Sequence, residues 1–259
     1  MRHIDFEAIE NFRDFGGYDT ACGRGLRAGR LFRSGHHHHA TDADLARLRG
    51  IGVAAIVDLR QASERQREPS RRWEGFAGVV IENDLNSAVD WVADLATSPM
   101  TPEWFFEHTL SHYRSNPFEP RLVDLFSRFL TSVADADGAV VVHCAAGKDR
   151  TGLACALLHH VAGVSHEDVV ADFLLTNDEA RLQRKMRSNG DFVERVTGRR
   201  PSDEALRVSA QVFPEFLDAA FGEIRGRCGS IEAYLETVLG LDAATRDRIH
   251  DRVLGEAGA

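Results

Sequence analysis

The sequence predicts an α/β fold: a mostly parallel central sheet flanked by helices in three layers, with a lid or an insertion over 61–118. Three observations point there. The helical stretch "TDADLARLRG" at 41–50 leads into the buried apolar run "IVDLR" at 56–60. A second apolar run, "AVVV" at 139–142, follows a well-formed amphipathic stretch and passes through a tight loop into another. Alternation of short apolar runs with helix-period segments is the rhythm of βαβ units.

Taken in order, "NFRDFGGY" at 11–18 and "LFRSG" at 31–35 read as short extended pieces separated by glycine turns. Thr41 or Asp42 caps the next helix, which presents Leu45 and Leu48 to the core and stops at Gly50. Patterning loosens over 61–118, where "ERQREPSRRWEG" is highly charged and "SPMTPEWFFEHTLSHYRSNPFEP" mixes prolines with aromatics of exposed character. Pro120 then opens a helix with Leu122, Val123, Leu125, Phe126, Phe129, Leu130 and Val133 at helical spacing. Beyond Gly163, Ser165 and Asp168 have capping-box spacing. The tail is a series of amphipathic helices broken at Gly229 and Gly240.

The chain has 259 residues, 43% of them hydrophobic, which suits one domain spanning 1–259 with an insertion. A formal net charge of −9 argues against a nucleic-acid partner, which would call for a basic surface. Cys22, Cys144, Cys155 and Cys228 show no paired spacing, so neither a disulfide framework nor a zinc site is expected, and the cytoplasm is the expected location. No signal-peptide pattern or membrane-length apolar run is present, so no integral membrane segment is expected, although export without a signal peptide stays open.

The chemistry concentrates in "HCAAGKDRTG" at 143–152. Between Cys144 and Arg150 stand Ala145, Ala146, Gly147, Lys148 and Asp149, three of them with little or no side chain, so the loop can curl tightly. Curled with its amides inward at a helix N-terminus near Thr151, it forms an anion cup to which the helix dipole adds partial positive charge. Arg150 closes that cup with paired hydrogen bonds that lysine cannot make. The same donors favour a sulfur anion, making Cys144 a nucleophile toward phosphorus. Neither metal nor cofactor is required. Asp149 is the nearest acid for the leaving oxygen, with Asp84 or Asp58 able to reach in from other loops. Cys155 fits inert packing. A nucleotide-binding Walker loop would need Gly at Val142 and Ser or Thr at Asp149, and has neither.

The motif resembles the signature loop of cysteine-dependent phosphatases, and its full "GKDRTG" form is similar to bacterial tyrosine and dual-specificity phosphatases that also accept phosphoinositides. "NFRDFGGY", "LFRSG", "IVDLR", "DFLLTN" and "IEAYLETVLGL" extend the resemblance over nearly the whole chain. It implies protein-tyrosine phosphatase activity through a phosphocysteine intermediate, with a phosphorylated protein or a phosphoinositide as substrate. Ala145 to Arg150 would bind the phosphate. Lys148 would meet a phosphoinositide headgroup or brace the loop, and Thr151 would hydrogen-bond the departing sulfur. His143 would order the loop, a role that overlaps with that of an ordinary satisfied buried histidine. Arg13 and Asp14 would lie near the pocket or pair with "VDLR". Residues 85–118 and 176–205 are the lid segments the family pattern implies. A rhodanese-like sulfurtransferase carrying a persulfide on Cys144 is the alternative, since such loops also set cysteine in an amide cup. The run "HHHH" at 36–39 is expected to be a solvated loop.

Overall fold

The computed structural model describes residues 2–85 and 91–255. β1 (Arg13–Asp14) and β2 (Leu31–Ser34) precede α1 (Asp42–Ile51) and β3 (Val53–Asp58). Thr41 caps α1 with its hydroxyl while Asp44 closes the capping box, and the helix runs one residue past Gly50 to end at Gly52, whose φ of 76° suits a left-handed C-cap.

The stretch 61–118 is more regular than its composition suggests. It contains α2 (Ala62–Arg67), β4 (Val79–Ile81), α3 (Trp91–Thr97) and α4 (Pro102–Ser115). Its aromatics are not exposed as a group: Phe105 and Tyr113 are buried, because α4 turns them toward neighbouring helices. Residues 86–90 of the expected lid lie outside the described residues.

α5 (Pro120–Asp135) follows, with proline at the helix position where its missing N–H costs nothing. β5 (Ala139–His143) then leads through the signature loop into α6 (Asp149–Ala162). The rest is helical: α7 (His166–Leu174), α8 (Glu179–Thr197), α9 (Asp203–Ala210), α10 (Pro214–Cys228), α11 (Ile231–Thr237) and α12 (Ala243–Val253).

The sheet order is β1-β2-β5-β3-β4, all neighbours parallel except the β1–β2 edge pair. Side chains alternate across it. Val57, Val140 and Val142 face a large core with Leu125, Phe126, Phe129 and Leu153, whereas Val53, Ile56 and Val141 face a smaller one with Leu45 and Leu48. Burying each such side chain contributes about 1.5–3 kcal/mol. A third cluster joins α3, α4, α8 and α9 through Leu95, Phe105, Val193 and Ala205. The two segments expected to form a lid therefore share a core of their own.

Register decides where the site lies. Ser34 and Asp58 both pair with His143 across the parallel ladders, so β2, β3 and β5 end in one row and the signature loop rises from the middle of it. Ligand crevices in such sheets form at these carboxyl ends.

Candidate active site

Between β5 and α6 the chain curls within five residues, and every carbonyl of the turn is bound on its outer side. Cys144 O meets His143 Nδ1 at 3.3 Å, and Ala145 O accepts from His36 N at 3.1 Å. Asn11 Nδ2 donates to Ala146 O at 3.4 Å and to Gly147 O at 2.8 Å. Arg33 Nη2 adds bonds to Gly147 O at 3.1 Å and Lys148 O at 3.4 Å. Because N–H and C=O point opposite ways across a planar peptide, fixing the carbonyls outward turns the amides toward the concave side. Gly147 makes the curl possible: its φ is 63°, and a Cβ there would lie 2.3 Å from Ser34 O.

Asn11 and Arg33 are held in turn. Arg13 Nη1 donates to Asn11 Oδ1 at 2.5 Å, its Nη2 to Asp172 O at 3.0 Å and Thr176 Oγ1 at 3.2 Å, while Arg33 Nη1 pairs with Asp172 Oδ2 at 3.0 Å. One buried carboxylate thus balances two guanidiniums with no exposed surface. Gly152 lets α6 approach α7, since a Cβ would lie 2.6 Å from the Phe173 ring.

Arg150 is fixed by Glu64. Nη1 donates to Glu64 Oε2 at 2.6 Å and Nη2 to Oε1 at 2.9 Å, and Nη1 also reaches Leu59 O at 3.1 Å. Burial alone would push the Glu64 carboxyl up, but the guanidinium against it outweighs that and holds it at about 2. Three of the five N–H donors of Arg150 are then engaged. The Nε–H and the second Nη2–H lie along one edge and have no protein partner among the described residues, so the edge that suits two phosphate oxygens is kept free.

Cys144 is buried at the base of the loop, with 3% of its surface accessible. Asp149 stands at the first position of α6, Oδ1 accepting from Tyr113 Oη at 3.2 Å and Oδ2 lying 3.6 Å from Lys148 Nζ. Burial raises Tyr113 well above the usual phenol range, so it stays a donor.

This loop belongs with a known group of proteins. The family model described as "Tyrosine phosphatase family" matches residues 4–255. The chain belongs to that family. It is 32% identical over 279 residues to the triple specificity protein phosphatase PtpB of Mycobacterium tuberculosis, covering 95% of this chain and 96% of that one. A Cupriavidus necator protein, whose name assigns it by inference to the tyrosine-protein phosphatases, is 33% identical over 247 residues, covering 94% and 86%. A tyrosine-protein phosphatase of Nostoc commune is 29% identical over 224 residues, covering 84% and 71%.

Several expectations need correction for this tyrosine phosphatase family member. Asp14 accepts from the amides of Gly16 and Gly29 and staples their turn, and does not pair with "VDLR". Arg13 pairs with Asp172 and not with "VDLR", because β1 is the edge strand of the sheet and β2 and β5 stand between it and β3. Asp58 is held by Arg60 through Nε at 2.9 Å and Nη2 at 2.7 Å, and Asp84 sits with Arg65. Thr151 lies in the first turn of α6, which starts at Asp149, and its Oγ1 is buried with no hydrogen-bond partner among the described residues. The histidine run is not simply solvated. His37 is buried, bonded to Ser34 Oγ at 3.1 Å and stacked on His143 with ring centroids 4.8 Å apart. His143 is likewise fully buried, and burial keeps it below the usual imidazole range.

Cys155 matches its expected inert role, with burial pushing its thiol up to about 12. Lys148 links the loop to the lid: Nζ donates to Ser209 O at 2.6 Å and Gln211 O at 3.2 Å, at the C-terminal end of α9. Sequence reasoning missed Asn11, Arg33, Glu64, Tyr113 and Asp172. Asn11, Arg33 and Asp172 lie inside the quoted segments "NFRDFGGY", "LFRSG" and "DFLLTN", and Glu64 carried a local signal as the acidic partner in a capping box with Gln61.

Proposed function

We propose that this chain hydrolyses phosphotyrosine in protein substrates through a phosphocysteine intermediate on Cys144. The observation that carries the reading is the outward tethering of all five loop carbonyls from Cys144 to Lys148, which leaves a cup of amides over the sulfur. In the first step Cys144 Sγ bonds to phosphorus, the ester P–O bond breaks, and Asp149 protonates the leaving oxygen. In the second, water attacks phosphorus, Asp149 takes its proton, and the S–P bond breaks to return the thiolate. Charge on the transferred group rests on the loop amides and the free edge of Arg150, donors already in place before reaction.

Phosphoserine, phosphothreonine and phosphoinositides are further substrates of the same cup, the name of the M. tuberculosis relative supporting breadth. No helix among the described residues is long and apolar enough to cross a membrane. All four cysteines are free, which supports a cytoplasmic setting. α3, α4, α8 and α9 act as the lid, latched to the signature loop by Lys148. Nothing in the family match or in the relatives' names favours the sulfurtransferase alternative.

The test is phosphate release, in EDTA, from phosphotyrosine, phosphoserine and phosphothreonine peptides and from phosphoinositides, comparing wild type with Cys144→Ser. Rapid release from phosphotyrosine peptides by wild type alone supports the reading. Sulfur transfer from thiosulfate without phosphate release would overturn it.

A further inference from the structure

Within the lid, α4 places His108 and His112 one turn apart, on the same helix face. α3 brings Asp94 against them. One ligand atom from each of these three side chains lies within 4.8 Å of the others. His108 Nε2 and Asp94 Oδ2 are 3.6 Å apart, too long for a hydrogen bond but close to the roughly 3.3 Å that separates two ligands of one tetrahedral ion with bonds of about 2.0 Å. The two imidazoles sit edge to face with centroids 4.4 Å apart. His108 Nε2 is sealed from solvent and has no hydrogen-bond partner among the described residues.

The surroundings suit a bound ion. Trp104 stacks on His108 with centroids 4.5 Å apart and Trp91 covers it at 5.0 Å, so the histidine is oriented within an apolar wall. Two imidazoles and one carboxylate form a donor set for zinc or a neighbouring divalent ion, with a fourth position left for water.

We propose that Asp94, His108 and His112 form a zinc-class metal site that pins α3 to α4 in the lid. It is separate from the phosphatase chemistry, which needs no metal. It nonetheless adjoins it: Tyr113, the residue after His112, donates to Asp149. An ion at this position would tie the helix carrying Tyr113 to its neighbour and so steady the contact above the signature loop.

The experiment titrates zinc chloride into metal-stripped protein carrying Cys144→Ser, which removes the catalytic sulfur as a competing ligand. Calorimetry should give one zinc per chain, with a zinc-dependent rise in melting temperature. Asp94→Asn, His108→Gln and His112→Gln should each weaken binding by at least about tenfold, the cost typical of disturbing a metal ligand sphere. Replacing His36, His38 and His39 with glutamine should leave it unchanged. Cobalt added in place of zinc should show visible absorption bands that disappear in the His108→Gln/His112→Gln double variant. In EDTA that double variant should melt with its parent, which separates lost ligation from lost folding. Zinc binding of unchanged strength in the double variant, or no saturable binding in the parent, overturns the proposal.

Discussion

Glu64 grips Arg150 end-on, with carboxylate oxygens 2.6 and 2.9 Å from its two terminal nitrogens. That pairing fixes the plane of the guanidinium and decides which edge faces the loop. Replacing Glu64 with Gln removes the paired charge and lets the plane swing. The expected result is a fall of about a hundredfold in kcat/KM for phosphotyrosine peptides, since displacing a positioning group by about 1 Å can cost that much. Steady-state kinetics with a phosphotyrosine peptide checks it.

The same carboxyl makes a pH prediction. Its folded pKa, about 2, lies below the ordinary 4.5, so its contribution to stability is complete above about pH 4.5 and is lost as pH falls toward 2. The full contribution is about 3 kcal/mol. Urea unfolding at a series of pH values should therefore show wild type losing more stability than Glu64→Gln through that window, and parallel curves would contradict the assignment.

Asn11→Asp keeps the shape of the side chain but turns its donor to Gly147 O into an acceptor. The Ala146–Gly147 edge of the cup then loses its tether while the bond from Arg13 to position 11 persists. Loss of one preorganised oxyanion donor costs about 10²–10³ in kcat. Inorganic phosphate should also inhibit the variant more weakly, which initial rates measured at increasing phosphate will reveal.

Asp149→Asn tests the proton donor. If Asp149 protonates the leaving oxygen, its loss should depress hydrolysis of phenyl phosphate far more than that of an activated aryl phosphate whose leaving group needs no proton. Equal losses across the leaving-group series would assign the acid elsewhere.

Lys148→Met should free the end of α9. The ammonium, lowered in pKa by its burial, holds the carbonyls of Ser209 and Gln211, and methionine fills the space without that bond. Hydrogen exchange should quicken over residues 203–212, with phosphotyrosine and phosphoinositide turnover altered in the same proportion. A loss confined to phosphoinositides would make the lysine a headgroup ligand instead.

Elements with a strong local period were readable directly: α5 from its seven spaced apolar residues, β3 and β5 from their β-branched runs, and α7 from Ser165. The 61–118 region was not, because α2 and α3 are short, α2 is highly charged with no buried face, and α3 and α4 bury Leu95 and Phe105 against partners from α8 and α9 far along the chain. Side-chain direction was equally hidden. Lysine at 148 has the same letter whether it faces a phosphate or a helix end.

The residues proposed to do the chemistry lie within seven positions of one another, so chain geometry alone brought Cys144, Asp149 and Arg150 together, and composition with spacing was enough to point to the reaction class. What holds them in working order comes from far along the chain: Glu64 is 86 residues from Arg150, Asn11 136 from Gly147 and Arg33 114 from Gly147. Such pairings appear only once the parallel strands align and the helices pack, because a polar side chain's partner is chosen by burial in three dimensions and leaves no period in the sequence.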